Sequence, residues 1–165
     1  MNNDLGDAGA GPNIIIKEAD ETQILDIVSL GEKIFEHSWD EQMVAASFYN
    51  TYDIVLVAAD ADDEALMGYC IFSCPNEDCE LLRIAVAKEY RRRGVATGLM
   101  KRMIKMCAAE GGENIFLEVR ESNRSAIDLY EHFGFEEISK RKRYYHEPEE
   151  DALMMKLENV TGIKM

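Results

Sequence analysis

The sequence predicts one α/β domain built on a mixed central sheet of about seven strands with about four helices. Three observations carry that reading. The chain has 165 residues, 47% of them apolar, enough for one real core. Its apolar pattern switches between short β-prone runs and helical stripes, in the order β, α, α, β, β, β, α, β, α, β, β. Neither an internal repeat nor a linker interrupts that order.

Each element has its own signal. Residues 1–12 are rich in Gly, Asn and Asp without an apolar period and are expected to form a flexible tail; residues 13–158 are the domain and 159–165 a C-terminal tail. The run IIIK (14–17) is a short strand. Asp20 with Gln23 forms a capping box for a helix striped by Ile24, Ile27, Val28 and Ile34. Ser38 with Glu41 reads as a second box, opening the helix SWDEQMVAASFYN. DIVLVAA (53–59) and ALMGYCIF (65–72) flank an acidic turn as a hairpin, and ELLRIAVA (80–87) is the next strand. Val95, Leu99, Met103, Met106 and Cys107 line one face of a helix over 94–110, stopped by Gly111-Gly112. NIFLEVR (114–120) is a strand, SNRSAIDLYEHF a helix ended by Gly134, and FEEISKRKRYY with DALMMKLE a closing hairpin around a long acidic loop, HEPEE.

The chain carries 32 acidic and 18 basic residues, a net charge of −14. That balance excludes a nucleic-acid binder, which needs a basic footprint. No apolar run approaches a membrane span and no signal peptide opens the sequence, so a soluble cytoplasmic protein is expected. Cys70, Cys74, Cys79 and Cys107 lack the paired C-x2-C spacing of zinc sites, and the three histidines are scattered, so no metal site is expected.

The charge is uneven. Arg83, Lys88, Arg91, Arg92, Arg93, Lys101, Arg102 and Lys105 face only Glu89 over residues 83–105. The turn RRRGVAT lies between a strand and a helix. A helix N-terminus offers free N–H groups and a positive dipole end, Gly94 removes a Cβ, Ala96 is small, Thr97 adds a hydroxyl, and arginines pair with phosphate oxygens. These are the parts of a pyrophosphate cradle. The alternative is a solvated turn that merely begins a helix. Neither a Walker loop nor a G-x-G-x-x-G fingerprint is present.

The strand LLRIAVAKEY, then Arg91-x-x-Gly94-x-Ala96, then a helix resembles the acetyl-CoA motif of the GNAT acetyltransferases. The stretch LEVRESNRSAIDLYEHFGFEEISKRKRYY is similar to the ribosomal-protein-alanine N-acetyltransferase (RimI) branch, as is HSW at 37–39. The resemblance covers residues 13–158.

It implies acetyl-CoA as cosubstrate and the α-amine of a ribosomal protein's N-terminal alanine as acceptor. The backbone of Ile84, Ala85 and Val86 would pair with the pantetheine arm, a bulge near Val86 would supply an oxyanion donor, and Arg91, Arg92, Arg93, Gly94, Ala96 and Thr97 would hold the pyrophosphate. By resemblance Glu118 is the proton acceptor and Tyr130 the donor, Asn123 lies by the cofactor, and Trp39, Tyr144 and Tyr145 flank the acceptor groove. Read from the residues alone, Glu118 is the solvent side of a strand, Tyr130 a core residue, Asn123 a helix cap and Trp39 a packing residue. Other acceptors, a small amine or a lysine, and a non-catalytic CoA-binding module remain as alternative functions.

Overall fold

Asp53–Asp60 (β2) reads as a nearly continuous apolar run because both of its faces are covered. It pairs antiparallel with Leu66–Ser73 (β3) on one side and with Ile14–Glu18 (β1) on the other. The computed structural model describes residues 13–164, and the expected tail over 1–12 lies outside them. The remaining strands are Asp78–Val86 (β4), Asn114–Arg120 (β5), Glu136–His146 (β6) and Glu149–Leu157 (β7). They complete a seven-stranded sheet of order β1-β2-β3-β4-β5-β7-β6, in which only β4 and β5 run parallel.

Four helices cover it: Ile24–Ile34 (α1), Glu41–Tyr49 (α2), Val95–Ala109 (α3) and Arg124–His132 (α4). The sheet's alternation sorts the core into two layers. Leu56, Ala58, Cys70, Phe72, Ile115 and Leu117 meet Leu99, Met100, Met103 and Ile104 of α3 and Ile127 of α4. On the opposite face Val55, Val57, Tyr69, Ile71 and Ala85 meet Ile27 and Leu30 of α1 and Val44 of α2. The second layer lies over β2, β3 and β4. Beyond it, Phe116, Glu118 and Arg120 of β5 stay partly open, while Ile115, Leu117 and Val119 are buried beneath α3 and α4.

Three boundaries differ from expectation. The Asp20–Gln23 box is present and caps a short 3-10 turn leading into α1. Ser38 is not the cap of α2: Asp40 is, its carboxylate accepting from the Met43 N–H at 2.8 Å. An Asp three residues before a free N–H serves as well as a Ser, and it lies closer to the helix. The HEPEE loop is a tight connection, because β6 and β7 stay paired out to His146 opposite Glu149. Past residue 158, Val160 is buried in the core and its N–H donates to the Glu113 carbonyl at 3.0 Å.

Two irregularities in β4 position the site. Its pairing with β5 runs only over Asp78–Glu80 opposite Asn114–Phe116; from Leu81 to Val86 and from Leu117 to Arg120 the two strands do not pair with each other. A cleft therefore opens between two parallel strands in mid-sheet. Second, the β3–β4 register slips between Ile71, opposite Arg83, and Phe72, opposite Leu81, which leaves Leu82 as an extra residue. Leu81 points into the α3 layer, so strict alternation would drive Arg83 into the same core. The bulge instead turns Arg83 to the α1–α2 face, where it packs on aromatic rings. The expected bulge near Val86 is thus four residues earlier in the strand.

Candidate active site

The turn after β4 is shaped by two left-handed residues, Arg92 at φ 63° and Gly94 at φ 84°. Glycine adopts this region freely and arginine pays strain for it, so the turn is held in a form few sequences choose. Gly94 is the N-cap of α3 and its carbonyl accepts from the Gly98 N–H at 2.9 Å. A Cβ on Gly94 would touch nothing within 4 Å, so the space over this end is open. Asp40 caps α2 and Asn123 caps α4, but among the described residues no side chain caps α3. Its first-turn N–H groups, including those of Ala96 and Thr97, face outward with the positive end of a 15-residue helix behind them.

Arg91, Arg92 and Arg93 surround that end and are exposed. Arg91 donates from Nε to the Val86 carbonyl at 3.3 Å, and Arg93 lies 5.9 Å from the Tyr90 ring centroid. None of the three forms an ion pair among the described residues. Unpaired guanidiniums beside an uncapped helix end fit a polyphosphate. Ile84 and Val86 pack toward α3 and Ala85 toward α1, so the backbone of these residues, rather than their side chains, borders the cleft.

Glu118 stands on β5, across the cleft from β4, on the uncovered face. Its Oε1 is 3.1 Å from Arg141 Nη1 of β6, and its side chain is 22% exposed. Glu80 lies on the same face; burial, with Glu118 adding, raises its carboxyl above the usual value. Tyr144 and Tyr145 meet edge to face with ring centroids 5.2 Å apart, in a stretch where β6 bulges away from β7. Interaction with the Glu118 carboxylate raises the Tyr144 phenol, and burial followed by Glu118 raises that of Tyr145. The Arg120 guanidinium lies 4.0 Å from the Tyr145 ring centroid and donates to the Glu147 and Pro148 carbonyls, which ties the hairpin tip to β5.

Trp39 lies in the segment joining α1 to α2. Its ring and that of Phe35 sit 5.1 and 4.5 Å from the Arg83 guanidinium, which also donates to the His37 carbonyl at 2.8 Å. Burial lowers the Arg83 pKa, with Tyr69 and Tyr145 opposing the shift. Trp39 also packs against the α1–α2 core, so its packing role is present. The sequence counted Arg83 within the basic stretch 83–105 but gave it no site role. The only signal was a charge in the middle of LLRIAVA.

Tyr130 of α4 is 5% exposed and packs with Phe135, their ring centroids 5.9 Å apart. Burial pushes its phenol well above the ordinary value, with Cys70 and Tyr145 adding to the effect. Its hydroxyl therefore stays protonated. Asn123 acts as a cap, its Oδ1 accepting from the Ala126 N–H at 3.2 Å. A depression of about 700 Å³ between α1, the β2–β3 turn and residues 87–89 contains none of these groups.

The chain is similar to several characterised proteins. It is 35% identical over 97 residues to the [ribosomal protein bS18]-alanine N-acetyltransferase of Salmonella typhimurium, covering 58% of this chain and 66% of that protein. It is 40% identical over 75 residues to an N-alpha-acetyltransferase of Sulfurisphaera tokodaii, covering 45% of each. The match therefore spans less than two thirds of these relatives' own lengths. The crystal structure of the ribosomal-protein-S18-alanine N-acetyltransferase from Escherichia coli superposes with a TM-score of 0.81 at 26% identity, over 88% of this chain and 94% of that one. The profile of the acetyltransferase (GNAT) family matches residues 24–135, from the start of α1 through the split strands and the arginine turn to Phe135. On that match, which spans well over half its length, the chain belongs to the acetyltransferase (GNAT) family.

Proposed function

We propose that the chain transfers the acetyl group of acetyl-CoA to the α-amino group of a protein N-terminus, and that the acceptor is an alanine-starting small-subunit ribosomal protein. The observation that carries this reading is the cleft between β4 and β5. It lies between β4, which leads into the arginine turn and α3, and β5, which carries Glu118; in this reading Tyr130 reaches it from α4. The names of the relatives supply the acceptor.

Gly94, Ala96 and Thr97, with Arg91, Arg92 and Arg93, bind the diphosphate. The free edge of Ile84–Val86 accepts the extended arm as an added strand. Asn123 stands beside the arm while capping α4. Trp39, Tyr144 and Tyr145 hold the incoming peptide, and Arg83, which forms no ion pair among the described residues, presents a cation to its carbonyls or to an acidic side chain.

Glu118 accepts the proton that the amine must lose to attack. An α-amino group has a pKa of about 7.7–8.0, so a carboxylate acting directly or through one water suffices. As the N–C bond forms and the C–S bond breaks, Tyr130 protonates the departing sulfur. The thioester is already activated, so most of the rate comes from alignment of the two reactants.

The test is turnover on an alanine-starting peptide beside the same peptide with a blocked N-terminus and an internal lysine. Acetylation of the free N-terminus alone supports the reading. Acetylation of the lysine alone, or CoA binding without turnover, replaces it.

A further inference from the structure

At the far end of β4 and α3 from this cleft, two cysteines near one another in sequence meet a third that is distant. Cys74 follows β3, Cys79 lies on β4 and Cys107 on the last turns of α3, and their sulfurs all lie within 4.8 Å of one another. The Cys74 and Cys107 sulfurs are 3.4 Å apart, and Cys79 Sγ is 3.9 Å from the Asn76 carbonyl. Around a tetrahedral zinc, with Zn–S near 2.3 Å, sulfurs stand about 3.8 Å apart, so the triad has the dimensions of three corners of such a site. Cys79 and Cys107 are buried and Cys74 is half-buried, which leaves the fourth corner on the solvent side.

The surroundings are built around the sulfurs. A Cβ on Gly112 would come within 2.6 Å of Cys79 Sγ and 2.8 Å of the Cys107 carbonyl, so only glycine fits there. The Gly112 N–H donates to the Cys107 carbonyl at 2.8 Å, and the Glu113 and Asn114 N–H groups both donate to the Glu77 carbonyl, which brace the turns on either side. The last turn of α3 holds no basic residue, so nothing on the helix offsets the negative end of its dipole. The Asp53, Asp78 and Glu110 carboxylates are close enough to act on the thiols electrostatically. The helix C-terminus and the carboxylates favour a cation.

We infer that Cys74, Cys79 and Cys107 form a three-thiolate site for a zinc-class divalent cation, whose fourth position is open to water or an external ligand. Binding forms three metal–sulfur bonds and releases the thiol protons to solvent. The buried pair anchors the ion to β4 and α3, and Cys74 closes the site from the β3–β4 connection. The bound ion cross-links three elements and stabilises the fold.

The test uses the full chain, reduced and stripped of metal under anaerobic conditions, titrated with cobalt(II) and then with zinc. The expected result is one cobalt per chain with sulfur-to-cobalt charge-transfer absorption, displaced by zinc, and a higher Tm in zinc. Cys74→Ser changes a half-buried residue and should weaken binding at least about tenfold, whereas Cys70→Ala, whose sulfur faces Met103 instead, should retain it. Absence of charge-transfer absorption in the unaltered chain overturns the proposal. So does binding by Cys74→Ser and Cys74→Ala as tight as that of the unaltered chain, or uptake of no metal together with a Cys74–Cys107 disulfide on mild oxidation. Acetyl transfer by Cys74→Ser at the unaltered rate is expected in every case, so the outcome is independent of the catalytic reading.

Discussion

Glu118 and Arg141 form an ion pair across β5 and β6, with Oε1 and Nη1 3.1 Å apart, at the edge of the open face. Arg141 is half-exposed, so the pair contributes little to stability, on the order of 0–1 kcal/mol. In the proposed reaction its importance is positional: it would hold the carboxylate in place before an amine arrives. Glu118→Gln should lower kcat by about 10²-fold or more while leaving CoA affinity unchanged. Arg141→Ala should change kcat less than tenfold, on the order of one weak contact. Steady-state kinetics on the two variants checks both. Equal losses would mean that the pair, rather than the carboxylate, is what matters.

Tyr130 is buried and its phenol is held protonated well above the working range. Tyr130→Phe keeps the ring packing against Phe135 and removes only the hydroxyl. We expect kcat to fall by about 10²-fold or more, with KM for acetyl-CoA and Tm nearly unchanged. A large loss of Tm with little loss of kcat would assign the hydroxyl to the core alone.

Arg92 sits at φ 63° in a turn whose neighbour Gly94 takes the same region. Arg92→Gly removes backbone strain on the order of 1 kcal/mol and one phosphate ligand together. The variant should therefore unfold at a higher temperature and yet bind CoA more weakly. Thermal unfolding and calorimetry measure the two effects separately, and tighter or unchanged CoA binding would remove Arg92 from the cradle. Gly94→Ala meets no steric obstacle and should lose stability from φ alone.

Glu150 joins the start of α4 to the hairpin. Hydrogen bonding from Ser122 is the main reason that its carboxyl lies below the ordinary 4.5, with Arg120 adding. A depressed folded pKa stabilises the fold above the unfolded value and loses that stabilisation as pH falls through the folded one. The Tm of Glu150→Gln should thus lie below that of the unaltered chain at neutral pH, and the gap should close as the pH falls below 4.5. A gap independent of pH would assign the effect to packing.

Much of this was legible in the sequence because it is local. β5 was read at its observed limits, Asn114–Arg120, and the Asp20–Gln23 box and the arginine turn depend on residues a few positions apart. What escaped is long-range. The bulge at Leu82 leaves no side-chain signature, since it is set by the register against β3, and so Arg83 looked like a charge in a buried strand. The cysteine triad draws on Cys107, 28 positions beyond Cys79, and only the packing of α3 on the sheet brings them together. The split between β4 and β5 likewise exists only once the strands are paired.

The most direct measurement is a crystal structure of the chain with coenzyme A. The account predicts the diphosphate on the N–H groups that open α3, and the pantetheine arm lying along Ile84–Val86 with its sulfur directed at Tyr130. A ligand bound elsewhere, with the cleft between β4 and β5 closed or empty, would contradict it.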